Sequence, residues 1–206
     1  MHIEFLVEEP SAEAALRNLV PKIVPGVDVE FRVFQGKQDL LSKLPGLLKG
    51  YRRWIPADWR IVVLVDEDRQ NCLELKAMLE KAADDAGLVT KTRASGGASF
   101  QVLNRISVEE LEAWFFGDVE ALHGAYPKIP LSLGTRSKYI NPDAIQGGTW
   151  EELEKELQRN GYFRGGLEKI RAANTISVHM DPTRNRSKSF QFFRDGLKEM
   201  VKLSRS

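Results

Sequence analysis

The 206-residue chain is short of the features that most often announce a function. Its single cysteine, Cys72, excludes an internal disulfide framework. Its three histidines are scattered, and no CxxC or HExxH pattern accompanies them, so the common zinc sites lack ligands. The longest charge-free apolar run, Ile61 to Val65, is far below the roughly 20 residues of a membrane span. No basic segment followed by an apolar stretch opens the chain, and there is no low-complexity segment or internal repeat. A G-x-x-x-x-G-K-[ST] loop for ATP is missing as well. These absences point to a protein of the reducing cytoplasm with no membrane partner.

What is present is an ordinary globular composition, 42% hydrophobic and 29% charged. The length suits one core with an appendage rather than two independent domains. The net charge of +1 hides an asymmetry: residues 1–158 carry 19 basic and 25 acidic side chains, whereas residues 159–206 carry 11 and four. A basic C-terminal quarter is compatible with a solvated face, a surface for an acidic partner or a phosphate footprint.

Hydrophobic periodicity orders the first part of the chain as alternating strands and helices. His2 to Val7 is a short β-like run, followed by Pro10, Ser11 and an apolar helical pattern through Leu19. Val27 to Phe34 alternates as a strand with one buried face does, and a leucine-rich helix from Leu40 to Tyr51 is expected to break or kink at Pro45 and Gly46. Arg60 to Val65, apolar and β-branched beyond its first residue, has the character of a central parallel strand covered on both faces. A helix through Leu73, Leu75, Met78 and Leu79 follows, then a strand at Leu88 to Arg93 and a small turn at Ser95 to Ala98. A further strand is expected at Phe100 to Ile106, and a helix at Val108 to Phe116 introduced by Ser107. Such alternation predicts an α/β fold with a mostly parallel sheet flanked by helices. From Asp118 onward no strand is evident. Helical patterns near Trp150–Gln158, Leu167–Ala173 and Phe190–Leu203 form a C-terminal extension, which divides the chain into a core at 1–117 and a mainly helical part at 118–206 packed on it.

In such folds chemistry sits outside the carboxyl ends of the parallel strands. Glu8 and Glu9 follow the first strand, and Asp66, Glu67 and Asp68 the apolar central one, so two strand ends deliver carboxylates to one edge. Residues i and i+2 of an extended segment point the same way, which aims Asp66 and Asp68 at one site. Crowded carboxylates repel unless protonated or bound to a cation, and Mg²⁺ or Mn²⁺ is the hard cation such oxygens suit. The plainer reading makes Asp68 a cap of the next helix, Glu13 a partner of the first helix dipole, and the other acids solvated.

The segments VEEPSAEAAL, LVDEDRQNC and RISVEELEAWFFGD resemble the Toprim-like family catalogued as domain of unknown function 4276, related to the nuclease domain of the overcoming-lysogenization-defect (OLD) proteins. A Toprim core is a compact α/β domain with a glutamate after its first strand and a D-x-D after a later one. The resemblance places Glu8, Asp66 and Asp68 in those catalytic and metal-binding positions. It implies Mg²⁺-dependent phosphodiester hydrolysis on DNA or RNA, in defence or DNA processing, with a separate ATPase as candidate partner. The alternative it carries is a metal-binding subunit without turnover that docks to that ATPase. One position departs from the pattern: where such families show V-E-G, this chain has Val7, Glu8, Glu9, and Glu9 adds charge where glycine would let a phosphate approach.

Two further groups of candidates follow. Glu110 forms an S-x-x-E capping box with Ser107, which leaves Glu112 as the expected additional metal ligand and Trp114 as core. Arg184, Arg186 and Lys188, beside Ser187 and Ser189, are the expected nucleic-acid contacts, against the alternative of a capped loop before the last helix. Arg52, Arg53 and Trp54 read as surface and packing, and His179 as structural. A phosphoacceptor receiver domain fits less well, because Arg105 stands where its lysine is needed. A haloacid-dehalogenase-like phosphatase also fits less well, because its D-x-D belongs on the first strand and Gln70 takes the place of its threonine or valine.

Overall fold

The computed structural model describes residues 1–68, 70–95 and 97–204. Four strands, β1 (His2–Val7), β2 (Asp28–Val33), β3 (Trp59–Asp66) and β4 (Val102–Ser107), form one parallel sheet in the order β2-β1-β3-β4. The connections are helices α1 (Pro10–Ile23), α2 (Lys37–Trp54) and α3 (Cys72–Asp85). After β4 come α4 (Glu112–Phe116), α5 (Val119–Ala125), three short 3₁₀ turns between Leu131 and Ala144, then α6 (Thr149–Arg159), α7 (Lys169–His179) and α8 (Lys188–Ser204).

The period-two alternation of side chains divides the sheet between two buried clusters. Ile3, Phe5, Val7, Val62, Leu64 and Leu103 turn to one face, where α1, α7, α8 and the C-terminal helices cover them. Leu6, Ile61, Val63, Val65 and Val102 turn to the other, against Leu40, Leu44 and Leu48 of α2 and Leu75 and Leu79 of α3. Both faces of β3 are therefore dry, which is why its sequence does not alternate. The edge strand β2 buries fully only Phe31. The first cluster runs without interruption from β1 through α4 into α8, with Trp114 between Phe190 and Phe193. The arrangement is an α/β Rossmann-like fold with a helical C-terminal extension.

Four local expectations fare differently. The helix over Lys37–Trp54 continues through Pro45, because Leu40, Leu44, Leu48 and Tyr51 form one buried stripe whose packing outweighs a single missing donor. Residues 88–93 do not form a strand: Thr90 makes one parallel bridge to Val102, and the chain then turns as the amides of Arg93 and Ala94 donate to Thr90 O. The helix expected at 108–116 shrinks to Glu112–Phe116, since Glu109 takes a left-handed φ of 61° that no helix contains. Of the small turn at Ser95 to Ala98, Gly96 lies outside the described residues.

The order 2-1-3-4 has a physical consequence for function. The chain leaves β1 toward β2 and leaves β3 toward β4, in opposite directions across the sheet. The loops after β1 and β3 thus diverge, opening a crevice at the carboxyl ends of neighbouring strands.

Candidate functional site

Glu8 is the first residue after β1, and Asp66 the last of β3, so the crevice receives both. The backbone fixes them there: Glu8 O accepts from Gly36 N at 2.9 Å, and Asp66 N donates to Glu8 Oε2 at 3.3 Å. Both side chains are buried, each about 7% exposed. Glu112, on the first turn of α4, is 2% exposed, and its Oε2 has no hydrogen-bond partner among the described residues.

Burial first, and then the negative charge of Asp68, push the Glu8 carboxyl up to about 7. Asp66 is held well above the usual carboxylate range by burial and by Glu8, Glu112, Glu9 and Asp68. Burial also raises Glu112, to about 8, although Lys169 opposes it. Each of these acids is costly to ionise in the folded chain, the condition under which a cation is bound in exchange for protons. The donors are all oxygen, which suits a hard divalent ion. The orphaned Glu112 Oε2 is an acceptor that such an ion or its water would satisfy. Yet no three Asp, Glu, His or Cys side chains among the described residues stand together as a ready metal cage.

Asp68 explains part of that incompleteness. The extended segment ends at Asp66, and Asp68 takes a left-handed φ of 46°, so the i, i+2 alignment expected for a strand does not apply. Its Oδ2 forms an ion pair with Lys37 Nζ at 2.9 Å, and the same ammonium donates to Glu67 O at 2.9 Å. The two loops are clasped together: Glu67 N donates to Ser107 O, Asp68 N to Glu109 O, and Glu109 N to Glu67 Oε2. Glu67, which the strand argument turns away from the site, is a brace.

Two residues that sequence reasoning did not select, Lys37 and Lys169, complete the surroundings together with Glu9, which it did select. Lys37 is buried at the start of α2, directly after Gly36, whose φ of 91° lets the chain turn out of β2. Lys169, at the start of α7, lies over the Trp150 ring at 4.9 Å. Burial pulls its pKa down, but Glu112, Glu9, Glu110 and Asp66 outweigh that and raise it, so it is the cation facing the acids. Glu9 is half-buried and adds negative charge at Glu8, Asp66 and Glu112. A Gln-Gly-Lys triplet after a strand was the available signal for Lys37; nothing in the sequence ties Lys169 to the acids 57 to 160 positions upstream.

Glu110 does not cap its own helix. Its Oε2 accepts from Thr149 Oγ1 at 2.9 Å and Trp150 N at 2.8 Å, closing the start of α6, while Ser107 Oγ is left without a partner among the described residues. The basic segment is divided. Arg184 pairs with the buried Asp118 at 2.7 Å and with Glu120 at 3.0 Å, and Arg186 donates to Gly134 O. Those two arginines line one cavity of about 590 Å³, while Lys188 lines another and donates to Gln191 Oε1.

Fold and site together define a Rossmann-like α/β protein with buried, charge-crowded carboxylates at the crossover of its sheet. The chain belongs to the family described as domain of unknown function (DUF4276), whose profile matches residues 7–198. No curated protein and no solved structure matches it.

Proposed function

We propose that the protein is a Toprim-like, OLD-related nuclease that hydrolyses phosphodiester bonds of DNA or RNA with Mg²⁺ or Mn²⁺. The observation that carries this reading is the buried pair Glu8 and Asp66 at the sheet crossover, both raised in pKa, with the buried, unpartnered Glu112 acting on Asp66 from its flank. Glu8 and Asp66 would hold the cation, with Glu112 at its flank and Asp68 joining when its pairing with Lys37 opens. A bound cation supplies Lewis-acid polarisation of the phosphate and a nucleophile at neutral pH. Lys169 presents a positive charge to the phosphate as it enters, and the burial of Glu112, 2% exposed, keeps water from that side. Arg184 is a weaker candidate for backbone contact than Lys169, because two carboxylates already neutralise it.

The test is cleavage of plasmid DNA and of single-stranded RNA with Mg²⁺ or Mn²⁺, with chelator as control. The expected result is turnover that falls at least about a hundredfold in Asp66→Asn and Glu8→Gln. Undiminished cleavage by Asp66→Asn refutes the assignment.

A second reading is favoured by the Lys37–Asp68 pair and by the lack of a ready cage: a subunit without turnover of its own that works with a separate ATPase. It predicts cation binding without cleavage by the isolated chain, and cleavage or its control only in the joint complex.

A further inference from the structure

The strand β4 closes the sheet order, so one of its sides carries no neighbouring strand. In a parallel ladder a residue turns both backbone groups to the same side, and successive residues alternate. Gln101 O accepts from Ile61 N, and Ser107 O from Glu67 N, so the odd positions face β3 and the even ones face outward. Val102 is engaged there by Val89 and Lys91, and Asn104 O by Lys76 Nζ and Arg105 Nη1. Toward the carboxyl end, Asn104 N–H and both backbone groups of Ile106 have no hydrogen-bond partner among the described residues.

Ile106 is half-buried, and Asn104, 1% exposed, lies beneath the Lys76 side chain; the stretch borders a cavity of about 490 Å³ between the start of α3 and the start of α8. Its two flanks are apolar and wet: Leu73 is 80% exposed and Phe192 67%. Its rim is basic. Lys188 forms no ion pair among the described residues; Arg105, which donates to Phe192 O and Asn104 O, feels Glu80 and Glu199 without forming an ion pair, and Lys76 pairs with Glu80. The one acid in the lining, Asp143, is already taken by Ser187, Ser189 and the Lys188 amide. An open strand edge between exposed apolar side chains is a template for another strand.

We propose that the outer edge of β4 receives an extended, acidic segment of a partner protein as a fifth strand. Hydrogen bonds to Ile106, and to Asn104 once the Lys76 side chain swings off it, set its register. Its apolar side chains, all on one face, cover Leu73 beside α3, and its carboxylates, on the other face, meet Arg105 and Lys188 around Phe192 beside α8. A second copy of this chain is the poorer occupant, because a two-fold axis along β4 would set Arg105 and Lys188 against their own equivalents. The inference is independent of the nuclease reading.

The probe is a fluorescein-labelled peptide of about eight residues alternating Val and Glu, long enough for one strand. Two controls replace Glu with Lys or methylate alternate backbone nitrogens. Anisotropy is expected to show binding of the acidic peptide, at least about tenfold weaker for either control and for Leu73→Asp or Phe192→Asp. Both substituted side chains are exposed, so folding is not challenged. Amide hydrogen exchange at Asn104 and Ile106 is expected to slow on binding. Equal binding of the Glu and Lys peptides, binding that leaves those two amides unprotected, or no binding of any peptide overturns the proposal. So does a concentration-dependent dimer of the protein alone that Phe192→Asp abolishes, which assigns the edge to a second copy.

Discussion

Asp66 is buried beside Glu8 and Glu112, and no cation forms an ion pair with it among the described residues. The consequence is a stability that depends on pH in an unusual direction. Glu8 and Glu112 are raised from 4.5 to about 7 and about 8, so between those limits the folded chain keeps protons that the unfolded chain has released. Stability must then fall as pH rises through that window. In chelator, the melting temperature is expected to drop by about 5 °C between pH 5 and pH 8, and Glu112→Gln should flatten the upper part of the slope. A profile that rises with pH contradicts the buried-acid description. At pH 8, millimolar Mn²⁺ should restore the lost melting temperature in the wild type and fail to do so in Asp66→Asn, because binding to the folded state alone stabilises it. Differential scanning fluorimetry reads both effects.

Elements are closed by residues that local rules did not always select. Asn71, not Asp68, caps α3, its Oδ1 accepting from Leu73 N at 2.9 Å and Glu74 N at 3.3 Å. Asn71→Ala is expected to cost about 1 kcal/mol in urea unfolding, and Asn71→Ser only a few tenths. The Ser107–Glu110 box failed for an instructive reason. A capping box needs a regular first turn, and the clasp of Glu67 on the Glu109 amide holds the backbone out of it. Glu110 then serves a helix 39 residues further on. Glu110→Ala should destabilise by about 1–2 kcal/mol by leaving Thr149 Oγ1 and the Trp150 amide without their acceptor, measured in the same titration.

At the scale of the molecule, the C-terminal extension is part of the site's construction. The helix α7 packs on α1 and brings Lys169 to the acids, while α8 packs on β4. Asp118 ties the extension together: it accepts from Ala121 N and Asp181 N and pairs with Arg184. Arg184→Ala leaves this buried carboxylate short of its charge partner, and the half-exposed position of the arginine moderates the cost to about 1–2 kcal/mol. Lys169→Ala should behave in the opposite way, with little change in the unfolding midpoint and weaker binding of a labelled oligonucleotide at low salt. If Arg184→Ala proves silent in stability and weakens oligonucleotide binding, the basic segment has the phosphate role that the sequence suggested.

The sequence by itself determined the four strands near residues 2, 28, 60 and 102, the parallel α/β class, and the position of Glu8 and Asp66 at the ends of two strands. These follow from hydrophobic periodicity and burial, which are written locally along the chain. Only the tertiary structure decided that Asp68 turns to Lys37, that Glu110 serves α6, that Arg184 is neutralised by Asp118, and that Lys169 faces Asp66 from the far end of the chain. Each of those outcomes is a competition among partners distant in sequence. The winner is set by sheet order and helix packing, because a charge interacts with whatever the fold places within a few ångströms of it, however far away along the backbone.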